Sequence, residues 1–461
     1  MGKWNLTEGS RSRNPSPMAL APTQNITHTA ILRIAVPIVL SNMSEPLIGV
    51  VNTAVMGRLP GPHYIGGVAV GALIFAFLFW GFGFLRLSTG GLSAQATGAD
   101  DRTELVTVLF RSLILALAIG LCLVALGPWL GPLAVSLVGG SDKVMAEAQV
   151  YFSYRIWAAP AALTNFAIMG WFIGQGRSTT AFIVQLFLNL TNMGLSAALV
   201  LGAGFATAGV GIAVVTAEYA AMALGLALAL RRLAAMKQVP DWAYIFRRDR
   251  FMALITANGD IMIRTLCLVF AFGWFVSRGA KQGDLIVATN AVVLNLFEVS
   301  AYMIDGFAYA AEALVGQAIG ARARERFRRA VGLTTLWAGV LGVLCALVIL
   351  VFGQPLAALM TVDPQVRETA SHYLGWAALA TVAGTACFQL DGIFTGAMAT
   401  REMRNMMVLS LAVYMGAWWW LEPHYGNHGL WAALNIFFIA RGITFMGRLG
   451  AIENRVFGGA S

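Results

Sequence analysis

Charge is scarce in this sequence. Only 11% of its 461 residues are Asp, Glu, Lys or Arg, less than half the share of a soluble domain. A water-soluble fold of this size could not cover its surface with so few, which excludes a soluble enzyme or binding module. Cysteine is sparse too. Cys122, Cys267, Cys345 and Cys387 lie inside apolar runs with no CxxC spacing, so they read as small core residues and not as a disulfide framework or metal site. The five histidines are scattered without an HExxH pattern, and no GxxxxGKS or GxxxxGKT loop is present. Neither zinc hydrolysis nor ATP hydrolysis of the usual kind is expected, and no cofactor is called for.

What the sequence has is apolar length. Hydrophobic residues make up 58% and the mean hydropathy is +0.72. Runs of about 20 apolar residues, enough to cross ~30 Å of hydrocarbon as a helix, recur along the chain. Twelve spans are expected, at 31–56, 64–87, 105–129, 148–174, 180–201 and 209–230, then 251–276, 285–311, 331–352, 370–396, 403–420 and 429–445. The most basic break, 231–250, divides them into two sets of six. The expected fold is therefore an all-α polytopic membrane protein of about 12 transmembrane helices in two parallel six-helix bundles. Its parts are a polar tail (1–29), an N-terminal bundle (30–235), a basic linker (236–250), a C-terminal bundle (251–447) and a second tail (448–461). The first tail holds Pro15 and Pro17 without an apolar stretch, so it is expected to stay on the mature chain.

The net charge of +9 is a sidedness signal. Arg102, Arg177, Arg231, Arg232, Lys237, Arg247 and Arg248 lie in alternate loops, and Arg322, Arg324, Arg326, Arg328, Arg329, Arg401 and Arg404 continue that side. Lys and Arg are retained in the cytoplasm, so both termini are expected there, in a bacterial inner membrane. No nucleic-acid partner is expected, and the 322–329 cluster reads as a contact with lipid headgroups. The halves also repeat. Gln95 and Gln317 lie in matching positions read as loops, and Gly174 and Gly396 end matching spans, each pair 222 residues apart (95 to 317, 174 to 396). Six spans per half insert both repeats the same way up, the parallel arrangement found in secondary transporters.

Intramembrane carboxylates point to function, because each costs at least ~2.5 kcal/mol at mid-bilayer unless it faces water or protein. Glu45, Glu218, Asp260, Glu298, Asp305, Glu312 and Asp391 are the candidates. Glu298, Asp305 and Glu312 follow i, i+7, i+14 spacing and share one helix face. Asp260 and Arg264 are i, i+4 and read as a local ion pair. Asp391 has no basic residue within one turn and reads as a lone carboxylate that can carry a proton. Glu218 reads equally well as a packing hydrogen bond. Pro37 and Pro46 in the first span permit a bend suited to gating. Trp418, Trp419 and Trp420 read as an interfacial belt.

The stretches GGVAVGA before Leu73, LRLSTGGLSAQATGA over 85–99 and DGFAYAAEALVGQAIGA over 305–321, with Pro37 and the Asn427-His428-Gly429-Leu430-Trp431 loop, resemble the multidrug and toxic compound extrusion (MATE) family, DinF-type bacterial branch. The likeness covers about 30–447. It implies a V-shaped pair of bundles that exports amphipathic, often cationic compounds in exchange for protons or sodium ions. Two family acids are missing. The Asp expected in the first span is Asn52, and the Asp expected after Asn189 and Asn192 is Ser196. Neither replacement titrates in the useful range. Glu45, seven residues before Asn52, could partly substitute. The expectation is that Asn52, Asn192, Ser196 and Glu298 contact cargo. Ion coupling rests on Asp305, Asp391, Glu312, Asp260 and Glu45, with a proton favoured over sodium and a monomer as the working unit. Mostly acidic intramembrane charge argues for cationic cargo. A lipid-linked-substrate flippase and a polytopic membrane enzyme are the alternatives, the last without a recognisable catalytic constellation.

Overall fold

Each apolar run stops where a residue caps a helix or cannot continue one. Thr27 accepts the amide of Ala30 to begin the first helix, and Asp101 accepts that of Glu104 at 2.8 Å to begin the third. The computed structural model describes residues 26–458, the side chain of Glu45 excepted. Its long helices are α1 (His28–Met56), α2 (Pro62–Gly98), α3 (Arg102–Val138), α4 (Asp142–Gly174), α5 (Ser178–Gly202) and α6 (Ala206–Met236). The second half follows with α7 (Arg248–Lys281), α8 (Asp284–Gly320), α9 (Arg324–Met360) and α10 (Leu374–Gly396). The last helix, Thr400–Phe457, is broken at Gly426, where φ 53° and ψ −130° are open to glycine and strained for other residues. It therefore supplies two spans, α11 (400–425) and α12 (427–457). Eleven apolar helices among the described residues thus make twelve crossings. α1 runs on through both Pro37 and Pro46.

Two differences from expectation stand out. Gln95 and Gln317 are not in loops but in the last turns of α2 and α8, because both helices run on past the apolar stretch to Gly98 and Gly320. The linker is also shorter than 231–250, because α6 continues to Met236. Its single turn of helix, Trp242–Ile245, is held against α3 by buried Arg111, which donates to the Tyr244 carbonyl at 2.6 Å and the Ile245 carbonyl at 2.8 Å.

Core placement shows how the halves meet. One apolar core lies in the first half around Phe75, Tyr151 and Phe152, with Ile261 of the second half packed onto it, and one lies within the second around Phe275, Phe297 and Trp431. A third is shared, joining Ile34, Trp171 and Phe172 to Phe307, Leu314 and Phe394. It sits toward the Lys- and Arg-rich end of the bundle, the basic end. Among the described residues, every hydrogen bond that crosses between the bundles lies between that end and the Asn42–Tyr302 level. Gln95 donates to the Gly396 carbonyl at 2.9 Å, and Gln317 donates to the Gly174 carbonyl at 3.0 Å. These two bonds are repeat images of one another. Trp337 to His28, Arg329 to the Ile26 carbonyl and Asn42 to the Tyr302 carbonyl complete the set.

Glycine makes this seam possible. A Cβ on Gly98 would lie 2.0 Å from the Gln317 carbonyl oxygen, and one on Gly320 would lie 2.0 Å from that of Gln95. Backbone meets backbone, the close approach that small residues allow between membrane helices. Gly320→Val should therefore force the halves apart at a cost of about 1–3 kcal/mol. Gly332→Val, at a position with open space around its Cα, should be neutral. Thermal melting in detergent checks this, and equal midpoints for both variants would refute the seam.

Candidate ion and cargo site

The acid stripe on α8 runs from partial exposure into burial. Glu298 and Asp305 are partly exposed, whereas Glu312 is buried and neither of its oxygens has a hydrogen-bond partner. An ionised carboxylate so placed costs several kcal/mol, so Glu312 sits there protonated or beside a cation. Asp305 lies within electrostatic reach of Arg86, Asp391, Arg264 and Arg441.

The remaining acids have other partners than their helix neighbours suggest. Asp391 is not a lone carboxylate. Its Oδ2 receives Arg441 of α12 at 2.6 Å and Arg264 of α7 at 3.0 Å. Arg264 therefore does not pair with Asp260, four residues before it. Asp260 instead takes Arg404 at 2.6 Å and the Thr400 hydroxyl at 3.2 Å, both from the start of α11. An i, i+4 pair is a weak contact on a helix. Long guanidinium stems reach across to a neighbouring helix, where an otherwise stranded carboxylate gains far more. The Arg441 side chain is fully buried, stacks near Phe388 and Phe437, and keeps Nε and Nη1 without partners, as Asp391 keeps Oδ1.

Arg86 and Arg441 join the site, although the pattern of intramembrane carboxylates does not point to them. The signal was available: each is a single arginine within an apolar run, at Phe84-Leu85-Arg86-Leu87 and Ile439-Ala440-Arg441-Gly442. They change the charge balance. Arg86, Arg264 and Arg441 stand among Asp305, Glu312 and Asp391, so the interior is balanced and not mostly acidic. The expectation of cationic cargo, which rested on mostly acidic intramembrane charge, is therefore weaker at this site.

The first half presents neutral polar groups. Asn189 of α5 donates to Ser44 of α1 at 2.7 Å and accepts from Gln185 at 2.9 Å. Ser196 donates to Asn192 at 3.2 Å within α5, and Asn189, Asn192 and Ser196 are all buried. Asn52 is buried with its carbonyl oxygen unpartnered. Glu218 accepts from Asn165 at 2.8 Å across α6 and α4, the arrangement of a packing hydrogen bond. The side chain of Glu45 lies outside the described residues. At the end opposite the basic one, Trp419 and Trp420 are exposed while Trp418 donates to Glu422, which also holds Arg278 at 2.9 Å.

Two six-helix halves, joined at one end and carrying balanced charge at mid-depth, define a polytopic transporter. The MatE family profile matches residues 37–198 and 261–417, and the chain belongs to the MatE family. It is 38% identical over 416 residues to the DNA damage-inducible protein F of Escherichia coli K12, covering 90% of each chain. It is 22% identical to the multidrug resistance protein MdtK of Photorhabdus laumondii, covering 91% of this chain and 94% of that one. Among solved structures, a MOP superfamily transporter from Pyrococcus furiosus described as having a binding pocket of reverse polarity superposes with a TM-score of 0.84 at 17% identity, over 96% of this chain and 99% of that one. An outward-facing multidrug resistance MATE transporter gives the same TM-score and identity, over 96% and 100%.

The double pairing of Asp391 has a stability consequence. Asp391→Leu leaves two buried guanidiniums without their anion and should cost about 3–5 kcal/mol. Asp391→Asn, which still offers an acceptor, should cost less. Chemical denaturation in detergent measures both, and a Leu variant as stable as the wild type would show that the pairs do not form.

Proposed function

We propose that this chain is an ion-coupled antiporter of a bacterial inner membrane. It exports amphipathic small molecules by alternating access, with the basic end and both termini in the cytoplasm. The observation that carries the reading is the α8 stripe, with Asp305 at partial exposure at mid-depth and Glu312 buried without partners at the seam. An ion drives exchange only by binding one access state more tightly than the other, and these acids sit at the boundary between the closed end and the rest of the bundle. A proton suits them better than sodium. One carboxylate binds a proton, whereas a sodium ion needs several oxygens at once, and Asp391 is already engaged by two guanidiniums. Asn52, Asn192, Ser196 and Glu298 are assigned to cargo, and Pro37 and Pro46 to gating. A monomer is sufficient for this cycle. Relatives named for multidrug resistance support the cargo class. The three arginines are the feature that favours the second reading, a flippase for a lipid-linked substrate.

In proteoliposomes with an imposed pH gradient, the wild type should expel a cationic dye while protons move the other way. Asp305→Asn should lower gradient-driven export at least about tenfold, one factor of ten being 1.4 kcal/mol of coupling, while leaving the protein folded. Wild-type export rates in this variant would reduce the stripe to a structural feature. Scrambling of a fluorescent lipid without dye export would favour the flippase.

A further inference from the structure

On α8, Asp305, Tyr309 and Glu312 follow i, i+4, i+7 and share a face. Arg86, on α2 of the opposite half, lies against that face. Its guanidinium is 4.0 Å from the centre of the Tyr309 ring, between the two acids along the helix, and within electrostatic reach of each. The register is rigid here. One turn further along α2, a Cβ on Gly90 would lie 1.9 Å from Glu312 Oε1. Arg86 nevertheless holds neither carboxylate. Its Nη1 is buried without a hydrogen-bond partner, as are both oxygens of Glu312.

The repeat makes this arrangement informative. At the 222-residue spacing, Asp305 and Glu312 stand where the first half has Gly83 and Gly90, and Arg86 stands where the second has Ala308. Packing of the seam asks only for small residues on both sides. The charged set is an addition to a symmetric frame, with its cation on one half and its acids on the other. Among the described residues, the other charged groups that act on Asp305 are Asp391, Arg264 and Arg441. All three belong to the second half and pair among themselves, so they do not bridge the halves. For Glu312, among the described residues, the charged group is Arg86 alone.

We infer that Arg86 is a coupling residue, the counter-charge through which the protonation of Asp305 and Glu312 decides whether the halves stay joined at the basic end. When either carboxylate is ionised, Arg86 pairs with it across the seam and holds it shut. When a proton occupies the carboxylate oxygen, Arg86 rests on Tyr309 and the seam is free to open. Opening admits water at the basic end, where the proton leaves. The inference rests on the antiport reading for its role in the cycle, but the switch itself is tested separately.

The test places spin labels at Arg102→Cys and Glu325→Cys, exposed positions on opposite halves at the basic end. The four native cysteines are replaced by alanine, and pulsed distance measurements are made in lipid nanodiscs from pH 5 to pH 9. The Arg86-competent background should show a long-distance population that grows as pH falls. Arg86→Gln should show that population at every pH, with the pH dependence lost, and Arg86→Lys should restore it. A merely structural role would not move the pH profile. An Arg86→Gln profile that matches the background, or a background that does not respond to pH, overturns the inference. Absence of proton countermovement in proteoliposomes, with the distance switch intact, would instead overturn the antiport reading and leave the switch standing.

Discussion

Everything else in this molecule depends on how closely two backbones approach at the basic end. α2 and α8 meet through glycines, with carbonyl oxygens of one helix placed where a side chain of the other would be. That contact fixes their relative register to a fraction of a residue, and both helices run toward the same end. Gln95 and Gln317 can then reach the carbonyls that end α10 and α4. An apolar core forms around them from both halves. In a bilayer, where lipid solvates apolar side chains as well as protein does, close packing and hydrogen bonds are what join helices. A seam made this way joins the halves by backbone packing, reciprocal hydrogen bonds and a shared apolar core.

Charge is arranged around the seam so that little of it is unaccounted for. Asp391 with Arg264 and Arg441, and Asp260 with Arg404, are satisfied within the second half. Those pairs are buried or nearly so, and a buried pair adds little net stability while its loss is costly. Asp305, Glu312 and Arg86 are different, because the cation belongs to one half and the acids to the other. Only such a set can make a proton felt as a change in the attraction between bundles. At Asn52 and Ser196 the first half presents a buried amide and a buried hydroxyl, and its charge in this set is that of Arg86.

Much of the fold was legible in the sequence, because apolar length and Lys/Arg alternation are one-dimensional signals. Each expected span overlaps one observed crossing, although several helices run about ten residues past the expected end, and the 222-residue repeat is visible in three-dimensional contact as the reciprocal glutamines. The twelfth crossing needs the turn at Gly426, which falls in the break expected between 420 and 429. Partners of the acids were not legible. Proximity along one helix suggested Asp260 with Arg264 and a solitary Asp391, whereas interhelical packing brought Arg404 and Arg441 from more than a hundred and about fifty residues away, respectively. Nor could spacing show that Arg86 faces Tyr309, because that contact crosses between the repeats. The helix ends were misjudged for a related reason: α2 and α8 stay helical beyond their apolar stretch because the seam, and not lipid, supports their last turns.

The central claim is that this seam is the moving part. Hydrogen–deuterium exchange of residues 84–98 and 305–320 in lipid nanodiscs tests it most directly, since a closed backbone contact protects amides that a parted one exposes. The account predicts that both segments lose protection together when the medium is acidified without cargo, while α4 of the first half and α12 of the second keep theirs. Equal protection of the two segments under every condition, or loss of protection in one half alone, would contradict it.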